Sequence, residues 1–424
     1  MLKDALTPHP FDAFDRRLSA DSHAPIGVAF SGGGDSLMAL KAAVAWTERH
    51  GRRVVAFHVD HRLQASSAGW ALAAAAAADR LGAAFLSLAW TGDKPSTGLP
   101  AAARIARHGL IADAARQAGV RVVVFGHTAD DQIEAVLMRD SGLRMGGLRE
   151  WAPSPVWPEG RGLFVFRPLL GLRRAAIRQA LAAEGEQWID DPANIDPRSA
   201  RARVRPLAAG LGRPAVEPDD GLLARLASLA AMGEGGDIRI DRAILRAAAP
   251  STARRLIGAA AASVGGATGP PRGGRLEALT NRVLGQSAVS ATLCGARVLA
   301  GDEVRFARDA GEASRGGLAP IALGPNETGV WDGRFEVTAG AEPLTVVRLA
   351  GRAPGLDRAE RGRLRALPAS VRPGLPLTVL ADGRLTCALL AGTGLAGSAS
   401  IGVKPLVAAR FLAACGVISK EPAT

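Results

Sequence analysis

Six residues near the N-terminus, Ser31-Gly32-Gly33-Gly34-Asp35-Ser36, have the types and order expected of a loop that holds phosphate. Residues 26–30 before them are mostly apolar and predict a buried strand, and residues 37–45 after them are good helix formers. A helix N-terminus attracts anions through its unpaired N–H groups and its dipole. The glycines allow close approach of the backbone, and the serines add hydroxyl donors. The loop is neither a Walker A sequence nor G-x-G-x-x-G, and the alternative is an ordinary tight turn.

Acidic residues supply a second set of candidates. Asp35 could ligate magnesium beside bound phosphates, or could act only as an acid in the first turn of a helix. Asp60 lies between His58 and His61 at the end of another apolar run, where it could bind a metal, a substrate or an exposed base. A solvated cluster at a strand end is the alternative for Asp60, so its pattern alone is a weak indication.

A third set combines acids with arginines. Asp130 and Glu134 are four residues apart and share one face of a predicted helix, with Asp131 beside them. These carboxylates could hold magnesium or a substrate ammonium group, and pairing with the helix dipole is the alternative. Arg104 and Arg107 are one helical turn apart and could clamp a phosphate or stack on a base, unless they form a solvated basic face.

The elements that must position these residues alternate between strand and helix. Strands are predicted at 26–30, 54–59, 85–88 and 121–125, with helices at 37–45, 66–81 and 100–117 between them. This alternation predicts a doubly wound parallel sheet, in which ligands bind beyond the carboxyl ends of the strands. The segments 31–36, 58–61 and 126–131 all fall at that edge, and their shared position is stronger evidence than any single motif.

Composition limits the kind of protein. A chain of 424 residues predicts about two or three domains, and the net charge of +12, nearly all from arginine, favours a phosphate-rich polymer such as RNA over a small anion. An acidic membrane surface is the competing explanation. Cys294, Cys387 and Cys415 are far apart without a C-x-x-C pair, which argues against zinc or iron–sulfur. With no signal peptide or apolar span predicted, we expect a cytoplasmic protein.

Taken together, the motifs resemble the tRNA(Ile)-lysidine synthetase family of ATP pyrophosphatases over about residues 25–210. The matching segments are Ser31–Ser36, His58–His61, Ala103–Arg107, His127 with Asp130–Gln132, Arg167–Leu170, and Trp188 with Asp191–Asn194 and Asp196, followed by Arg201 and Arg205. His108 stands where the family commonly has tyrosine, and Thr128 replaces the second of two histidines. The departures leave every acid and most key arginines in place.

The resemblance implies that the protein ligates lysine to C2 of the wobble cytidine in the CAU-anticodon isoleucine tRNA. ATP would adenylate the base, with Asp35 holding Mg²⁺, and residues outside the loop that would bind ATP are Ala29, Phe30, His58, Gly126 and His127. Candidates for binding free L-lysine, binding metal or transferring a proton are Asp35, Asp60, Asp130, Asp131 and Glu134. Residues expected to contact tRNA phosphates and the flipped base are Arg104, Arg107, Arg201 and Arg205.

Two alternatives stay open for the function. Another tRNA-modifying enzyme of the same superfamily is one, although residues 1–210 contain no cysteine for the thiolating members to use. A basic RNA-binding module that merely binds ATP, without ligase activity, is the other.

We expect an α/β catalytic domain at 1–210, a helical middle tRNA-binding domain at 211–325 and a small α+β tRNA-recognition domain at 326–424. The sequence Trp331-Asp332-Gly333-Arg334-Phe335 resembles the start of the family's C-terminal domain. The alternative for the two later regions is a module that serves stability or dimerisation. In the case of dimerisation, the protein would be a homodimer.

Overall fold

The structure, a computed structural model, describes residues 9–63, 67–143, 147–191, 200–208, 210–212, 220–271, 273–391 and 401–422. The chain forms two compact units. Unit 1 consists of Met1–Pro218 together with Ile418–Thr424, and unit 2 consists of Asp219–Val417. The predicted boundaries near 210 and 325 stay predictions.

Unit 1 is built on a six-stranded sheet of order β3-β2-β1-β4-β6-β5. The strands are β1 (Ile26–Ala29), β2 (Val54–Asp60), β3 (Ala84–Ala89), β4 (Val122–Phe125), β5 (Trp151–Pro153) and β6 (Phe164–Phe166). The helices are α1 (Pro10–Arg17), α2 (Gly34–Glu48), α3 (Ser67–Arg80), α4 (Leu99–Gln117), α5 (Ala129–Asp140), α6 (Arg174–Ala183) and α7 (Ala200–Ala208). Only β5 runs antiparallel to its neighbour in this sheet, so the predicted parallel α/β fold is confirmed.

The strand order places a ligand site at one point of the sheet. From β1 the order runs to β2 on one side and to β4 on the other, so β1 and β4 flank a topological switch point. Both strands are continuous apolar runs because each is covered on both faces: β4 is entirely buried, and β1 nearly so. The loop at 31–36 follows β1, and residues 126–131 follow β4.

The described residues of unit 2 form three antiparallel sheets, of order β7-β8-β11-β10-β9, β12-β15-β16-β17 and β13-β14-β18. The strands are β7 (Ala231–Met232), β8 (Ile238–Asp241), β9 (Val289–Leu293), β10 (Ala296–Ala300), β11 (Glu303–Arg308), β12 (Ile321–Leu323), β13 (Thr328–Trp331), β14 (Phe335–Thr338), β15 (Leu344–Arg348), β16 (Pro376–Leu380), β17 (Leu385–Thr386) and β18 (Gly402–Pro405). The helices are α8 (Asp220–Ser228), α9 (Arg242–Ala247), α10 (Pro250–Val264), α11 (Gly274–Leu284), α12 (Arg358–Ala366), α13 (Ala388–Ala391) and α14 (Val407–Ala414).

The middle region combines the predicted helices with the five-stranded sheet. The apolar face of α10, including Leu256 and Ile257, packs with Val298 and Phe306 of that sheet in one buried cluster. Phe411 of α14 belongs to the same cluster, so the last helix of unit 2 helps to form the core of its first part.

A buried ionic cluster ties the later strands of unit 2 together. Asp332, in the turn between β13 and β14, accepts hydrogen bonds from Arg308 Nη2 at 2.6 Å and Arg308 Nε at 2.8 Å. Arg334 Nε donates to Asp332 Oδ2 at 2.7 Å, and the N–H of Leu318 donates to Oδ1 at 3.2 Å. The side chains of Asp332 and Arg334 are only 4% and 2% exposed, so one carboxylate is shared by two guanidinium groups away from water.

Within the described ranges, no helix has both the length and the hydropathy needed to cross a bilayer.

Candidate active site

The segment from Ser31 to Ser36 closes on itself through its two serines. Ser36 Oγ donates to the carbonyl of Gly33 at 2.8 Å, and the N–H of Ser31 donates to Ser36 Oγ at 3.3 Å. The two hydroxyl oxygens are 3.1 Å apart. Since α2 begins at Gly34, its first N–H groups have no acceptor within the helix and are available to an anion at the mouth of this loop.

The loop glycines also make room for a second segment, which the sequence did not place there. Gly32 has a φ of +85°, and a Cβ on it would lie 2.5 Å from Cδ1 of Ile189. A Cβ on Gly34 would lie 3.4 Å from the ring of Trp188, and the N–H of Ile189 donates to the carbonyl of Gly32 at 2.9 Å. Residues 188–189 therefore pack directly on the phosphate loop and fix its shape.

The end of β4 touches the same loop. A Cβ on Gly126 would lie 2.5 Å from the carbonyl oxygen of Asp35 and 2.9 Å from the nitrogen of Ser36. Because these neighbours are backbone atoms at the start of α2, they cannot move aside as a side-chain tip could. The segments after β1 and β4 thus meet, as their place at the predicted sheet edge required.

His58, near the end of β2, joins this edge through the backbone of Phe30. Its Nδ1–H donates to the carbonyl of Phe30 at 3.0 Å, which leaves Nε2 as the acceptor of the neutral ring. Burial lowers the pKa of His58. Ala29 is half-buried, whereas the ring of Phe30 is buried, so the predicted adenosine contacts of these two residues stay predictions.

Asp60 ends β2 and is half-exposed. Its Oδ1 accepts a hydrogen bond from the N–H of Arg62 at 2.7 Å. Burial opposes ionisation of Asp60, but the hydrogen bonds from the backbone of Arg62 and the hydroxyl of Ser67 outweigh it, and the pKa of Asp60 is lowered. Asp60 is therefore a stable anion near the carboxyl edge of the sheet.

The three acids of α5 are brought together, each against arginine. Asp130 Oδ2 accepts from the backbone N–H of Arg174 at 2.7 Å, and Asp130 Oδ1 lies 3.1 Å from Arg173 Nη2. Asp131 Oδ2 accepts from the N–H of Thr128 at 2.8 Å and so caps its own helix.

Glu134 is fully buried at the centre of this acid cluster. One carboxylate oxygen lies 3.2 Å from Arg174 Nη1 and 3.1 Å from Arg205 Nε, and the other lies 3.1 Å from Arg201 Nε. Glu134 therefore links α6 with α7, which carries two of the arginines predicted to contact tRNA.

Arg174 is the residue that sequence reasoning missed. Its Nε donates to Asp35 Oδ2 at 3.0 Å, and it also lies 3.5 Å from Asp131 and 3.2 Å from Glu134. Burial raises the pKa of Asp35, while Arg174 acts to lower it. A signal was present, because arginines at 173 and 174 oppose the dipole at the N-terminus of α6 and require nearby acids.

A second cluster on this edge is basic without acidic partners. Within the ranges the structure covers, neither Arg104 nor Arg107 forms an ion pair, and Nε of Arg107 is a buried donor without an acceptor. Burial, and then the charge of Arg104, lowers the pKa of Arg107 to about 10. Arg167 Nε donates to Nδ1 of His127 at 3.2 Å, and burial keeps the pKa of His127 well below its ordinary value. Such an uncompensated group favours an anionic ligand.

No three His, Cys, Asp or Glu side chains are grouped to hold a metal ion, as far as the described residues extend. The matched positions Pro192–Asn194 and Asp196 lie outside those residues.

His108 makes this site sensitive to acid. Burial, followed by the charges of Arg107 and Arg104, lowers its pKa to about 2, and its ring stacks on Phe125 with centroids 5.0 Å apart. The unfolded chain takes up this proton below about pH 6.5. The contribution of neutral His108 to stability is therefore complete above that pH and is lost as the pH falls, by up to about 1.4 kcal/mol per unit.

We expect His108→Phe, which keeps the stacking, to reduce the loss of unfolding free energy between pH 7.5 and 5 by about 2 kcal/mol. Urea denaturation at the two pH values measures it, with His23→Gln at an exposed position as the control. Equal losses for His108→Phe and the parent chain would contradict the assignment.

Comparisons with known proteins agree with this geometry. A family model described as a PP-loop domain matches residues 9–208. The parallel sheet, the phosphate loop at its switch point and this match define an ATP-utilising enzyme of the PP-loop class.

Two curated relatives specify the family. The chain is 48% identical over 417 residues to the tRNA(Ile)-lysidine synthase of Caulobacter vibrioides, covering 97% of this chain and 98% of that protein. It is 39% identical over 344 residues to that of Mesorhizobium japonicum, covering 73% and 71%. The chain belongs to the tRNA(Ile)-lysidine synthase family. A solved U34-tRNA thiolase, NcsA from Methanococcus maripaludis, aligns with 15% identity and a TM-score of 0.38, covering 44% of this chain and 66% of that one.

Proposed function

We propose that this protein uses ATP to join lysine to C2 of the wobble cytidine in the CAU-anticodon isoleucine tRNA. The observation that carries the proposal is the pairing of two unlike clusters at one sheet edge. A phosphate loop with an acidic cluster lies beside arginines that pair with no acid among the described residues, in a chain similar over 97% of its length to a tRNA(Ile)-lysidine synthase. An enzyme that adenylates a nucleic acid and then attacks it with an amine needs both the phosphate loop with its acidic cluster and the basic cluster.

The phosphate loop would hold the leaving pyrophosphate. The N–H groups at the start of α2 and the two serine hydroxyls supply donors for its oxygens. In the first step the base O2 forms a bond to the α-phosphorus as the bond to pyrophosphate breaks. In the second step the lysine nitrogen bonds to C2 and loses a proton, and AMP leaves with the original O2.

Asp35 fits a magnesium ligand. Its carboxylate lies in the first turn of α2, and the nearby charge of Asp131 opposes its ionisation, so a cation between them would be stabilised. Because magnesium in such sites takes one or two carboxylates and the phosphates themselves, the absence of a larger cluster among the described residues is compatible with it. The ion would neutralise charge that develops on the pyrophosphate.

We assign the lysine ammonium group first to Asp60. Of the four remaining acids, Asp130, Asp131 and Glu134 each lie against arginine side chains, whereas Asp60 makes no ion pair with a described residue. Its lowered pKa keeps it ionised. The α5 acids would then orient Arg174, Arg201 and Arg205 and accept the proton released by the amine.

The basic residues would bind the RNA. Arg104 and Arg107 offer donors that no described carboxylate occupies, and the side chains of Arg201 and Arg205, which contact Glu134, are 34% and 29% exposed. His127, held as an acceptor at Nδ1 by Arg167, carries its proton on Nε2 and can donate it to a phosphate or a base.

We place the reaction in the cytoplasm, where tRNA is modified. A homodimer remains part of the proposal, because the edge strand β3 leaves Leu86 41% exposed and α3 leaves Leu72 74% exposed. Light scattering of the purified chain tests the dimer, and a monomeric mass at micromolar concentration would exclude it.

The central test measures pyrophosphate release and incorporation of labelled lysine by the full chain. We expect both to require ATP and the isoleucine tRNA transcript, and incorporation to fail when the wobble cytidine is replaced by uridine. A methionine tRNA that shares the CAU anticodon is the control for recognition outside the anticodon. Tight tRNA binding without pyrophosphate release would support the RNA-binding module instead, and sulfur incorporation would support a thiolating relative.

A further inference from the structure

The last described residues of the chain belong to unit 1, although the preceding 199 residues form unit 2. Unit 1 takes in Ile418–Thr424, whereas unit 2 ends at Val417. Unit 2 is therefore an insertion in the chain of unit 1, joined to it at both ends. Whether the returning end is firmly held depends on the contacts of residues 418–422.

Glu421 is the centre of those contacts. Its two carboxylate oxygens accept hydrogen bonds from Arg52 Nη2 at 2.7 Å and Arg52 Nη1 at 2.9 Å. The side chains of Arg52 and Glu421 are 0% and 1% exposed. Ser22 Oγ, at 3.1 Å, and the N–H of Ser19, at 3.0 Å, also donate to the carboxylate. A bidentate pair with this many donors is fully satisfied, which is the condition for burying charge without a large penalty.

The backbone of the segment is held as well. The N–H of Glu421 donates to the carbonyl of Arg17 at 2.7 Å, and Arg17 Nη1 donates to the carbonyl of Ser419 at 2.7 Å. Trp151 Nε1 donates to the carbonyl of Ile418 at 2.9 Å. Residues 418–421 are therefore hydrogen-bonded to three parts of unit 1: the end of α1, the start of β5 and the turn before β2.

These contacts lie at the opposite edge of the sheet from the candidate active site. Arg52 precedes β2 and also donates to the carbonyl of Ala24, two residues before β1, at 2.8 Å. Both positions are at the amino ends of parallel strands, whereas the phosphate loop, His58 and Gly126 are at the carboxyl ends. Arg52 and Glu421 therefore cannot touch substrate at the phosphate loop, and any effect they have on the reaction is indirect.

We propose that residues 418–422 form a latch that fixes the returning end of unit 2 to the catalytic unit, with Arg52 and Glu421 as positioning residues for the tRNA reaction. The inference rests on the proposed function and on the expectation from the sequence that the later regions of the chain, which form unit 2, bind tRNA. A second attachment raises the effective concentration of one unit at the other. If the latch is released, unit 2 is still joined to unit 1 by the chain before Asp219, but its returning end is no longer held. The tRNA bound by unit 2 then reaches the phosphate loop less often.

The first test compares steady-state kinetics of Glu421→Ala and Glu421→Gln with the parent chain. We expect Glu421→Ala to lower kcat/KM for tRNA at least about tenfold while the Kd for ATP stays within about twofold. Glu421→Gln keeps a hydrogen-bonding oxygen and the shape of the side chain, so its kcat/KM for tRNA should lie between those of the parent chain and Glu421→Ala. The double variant Arg52→Glu with Glu421→Arg should recover part of the loss. Glu150→Gln is the matched control, since Glu150 pairs with Arg16 and Arg17 nearby but is partly exposed.

A second test measures the association of the two units directly and does not depend on catalysis. A protease site inserted between residues 213 and 218 allows the purified full chain to be cut before unit 2. We expect the two pieces of the parent chain to elute together in size-exclusion chromatography and those of Glu421→Ala to separate. The latch would be contradicted if the two pieces of the parent chain separate. It would also be contradicted if the pieces elute together in both the parent chain and Glu421→Ala. Unchanged kcat/KM for tRNA in Glu421→Ala measured below its Tm would contradict it as well.

Failure of the proposed function is recognised separately. If the parent chain itself shows no lysine-dependent reaction on the isoleucine tRNA, the function is wrong, and the cut-chain experiment still decides whether the latch holds the two units.

Discussion

Replacing Asp35 by alanine should lower tRNA-dependent AMP formation at least about a hundredfold and leave tRNA affinity within about twofold. Asp35 lies in the first turn of α2 beside the phosphate loop and is bonded to Arg174. Its loss removes the carboxylate proposed for magnesium and releases the arginine that spans the acid cluster. Since the arginines proposed to bind tRNA lie on α4 and α7, RNA binding is expected to survive.

Asp35→Asn separates the two roles of this carboxylate. Asparagine keeps an oxygen that can accept from Arg174 but loses the charge that would bind a cation, so we expect a large rate loss and a higher magnesium requirement. Ser36→Ala should also abolish AMP formation, because the hydroxyl closes the loop onto Gly33. Asp79→Asn, at an exposed position on α3, is the control. Near-normal AMP production by Asp35→Ala would show that the loop is wrongly assigned.

The substitution Asp332→Asn should destabilise unit 2 by roughly 3 to 5 kcal/mol. Asp332 is the carboxylate shared by Arg308 and Arg334, and burial already lowers the pKa of Arg334 to about 10. Removing the negative charge leaves two guanidinium groups out of water with no anion between them. Asparagine tolerates the positive φ of 52° at this position, so the measured loss reports the charge and not the backbone.

Thermal unfolding of the full chain measures this effect, as a fall of about 10 °C in the transition of unit 2. The control is Asp382→Asn, because Asp382 pairs with Arg384 at the surface, where such a pair contributes little. If Asp332→Asn and Asp382→Asn unfold at the same temperature, the buried cluster does not stabilise unit 2.

The part of the fold that could be predicted is the part whose pattern is local. Continuous apolar runs at β1, β2 and β4, separated by helix-forming segments, specify a parallel sheet, and its carboxyl edge then specifies where ligands bind. The strands β5 and β6 have three residues each, too few for a pattern to appear. In the middle region the short turn Gly301-Asp302 joins β10 to β11, and the five-stranded sheet around this hairpin also pairs β11 with β8, which is distant in sequence.

The unpredicted parts of the site depend on contacts between residues distant in sequence. Arg174 bonds to Asp35, 139 positions earlier in the chain, and Ile189 packs on Gly32. Neither pairing leaves a periodic signal, since each partner alone resembles a surface arginine or an apolar loop residue. The motifs of the phosphate loop and of α5 identified the acids correctly as neighbours but could not show that arginines from α6 and α7 converge on Glu134.

The hydrogen bond between His58 and the carbonyl of Phe30 also bears on the choice of nucleotide. Because Nδ1–H is already committed to that carbonyl, the neutral ring can only accept at Nε2. A purine lying against His58 would therefore be favoured if it presented an amino group at C6, as adenine does, and disfavoured if it presented a carbonyl oxygen there, as guanine does. Discrimination between ATP and GTP would then originate in the main-chain carbonyl of Phe30, just after β1, which fixes the tautomer, and not in any side chain dedicated to the base.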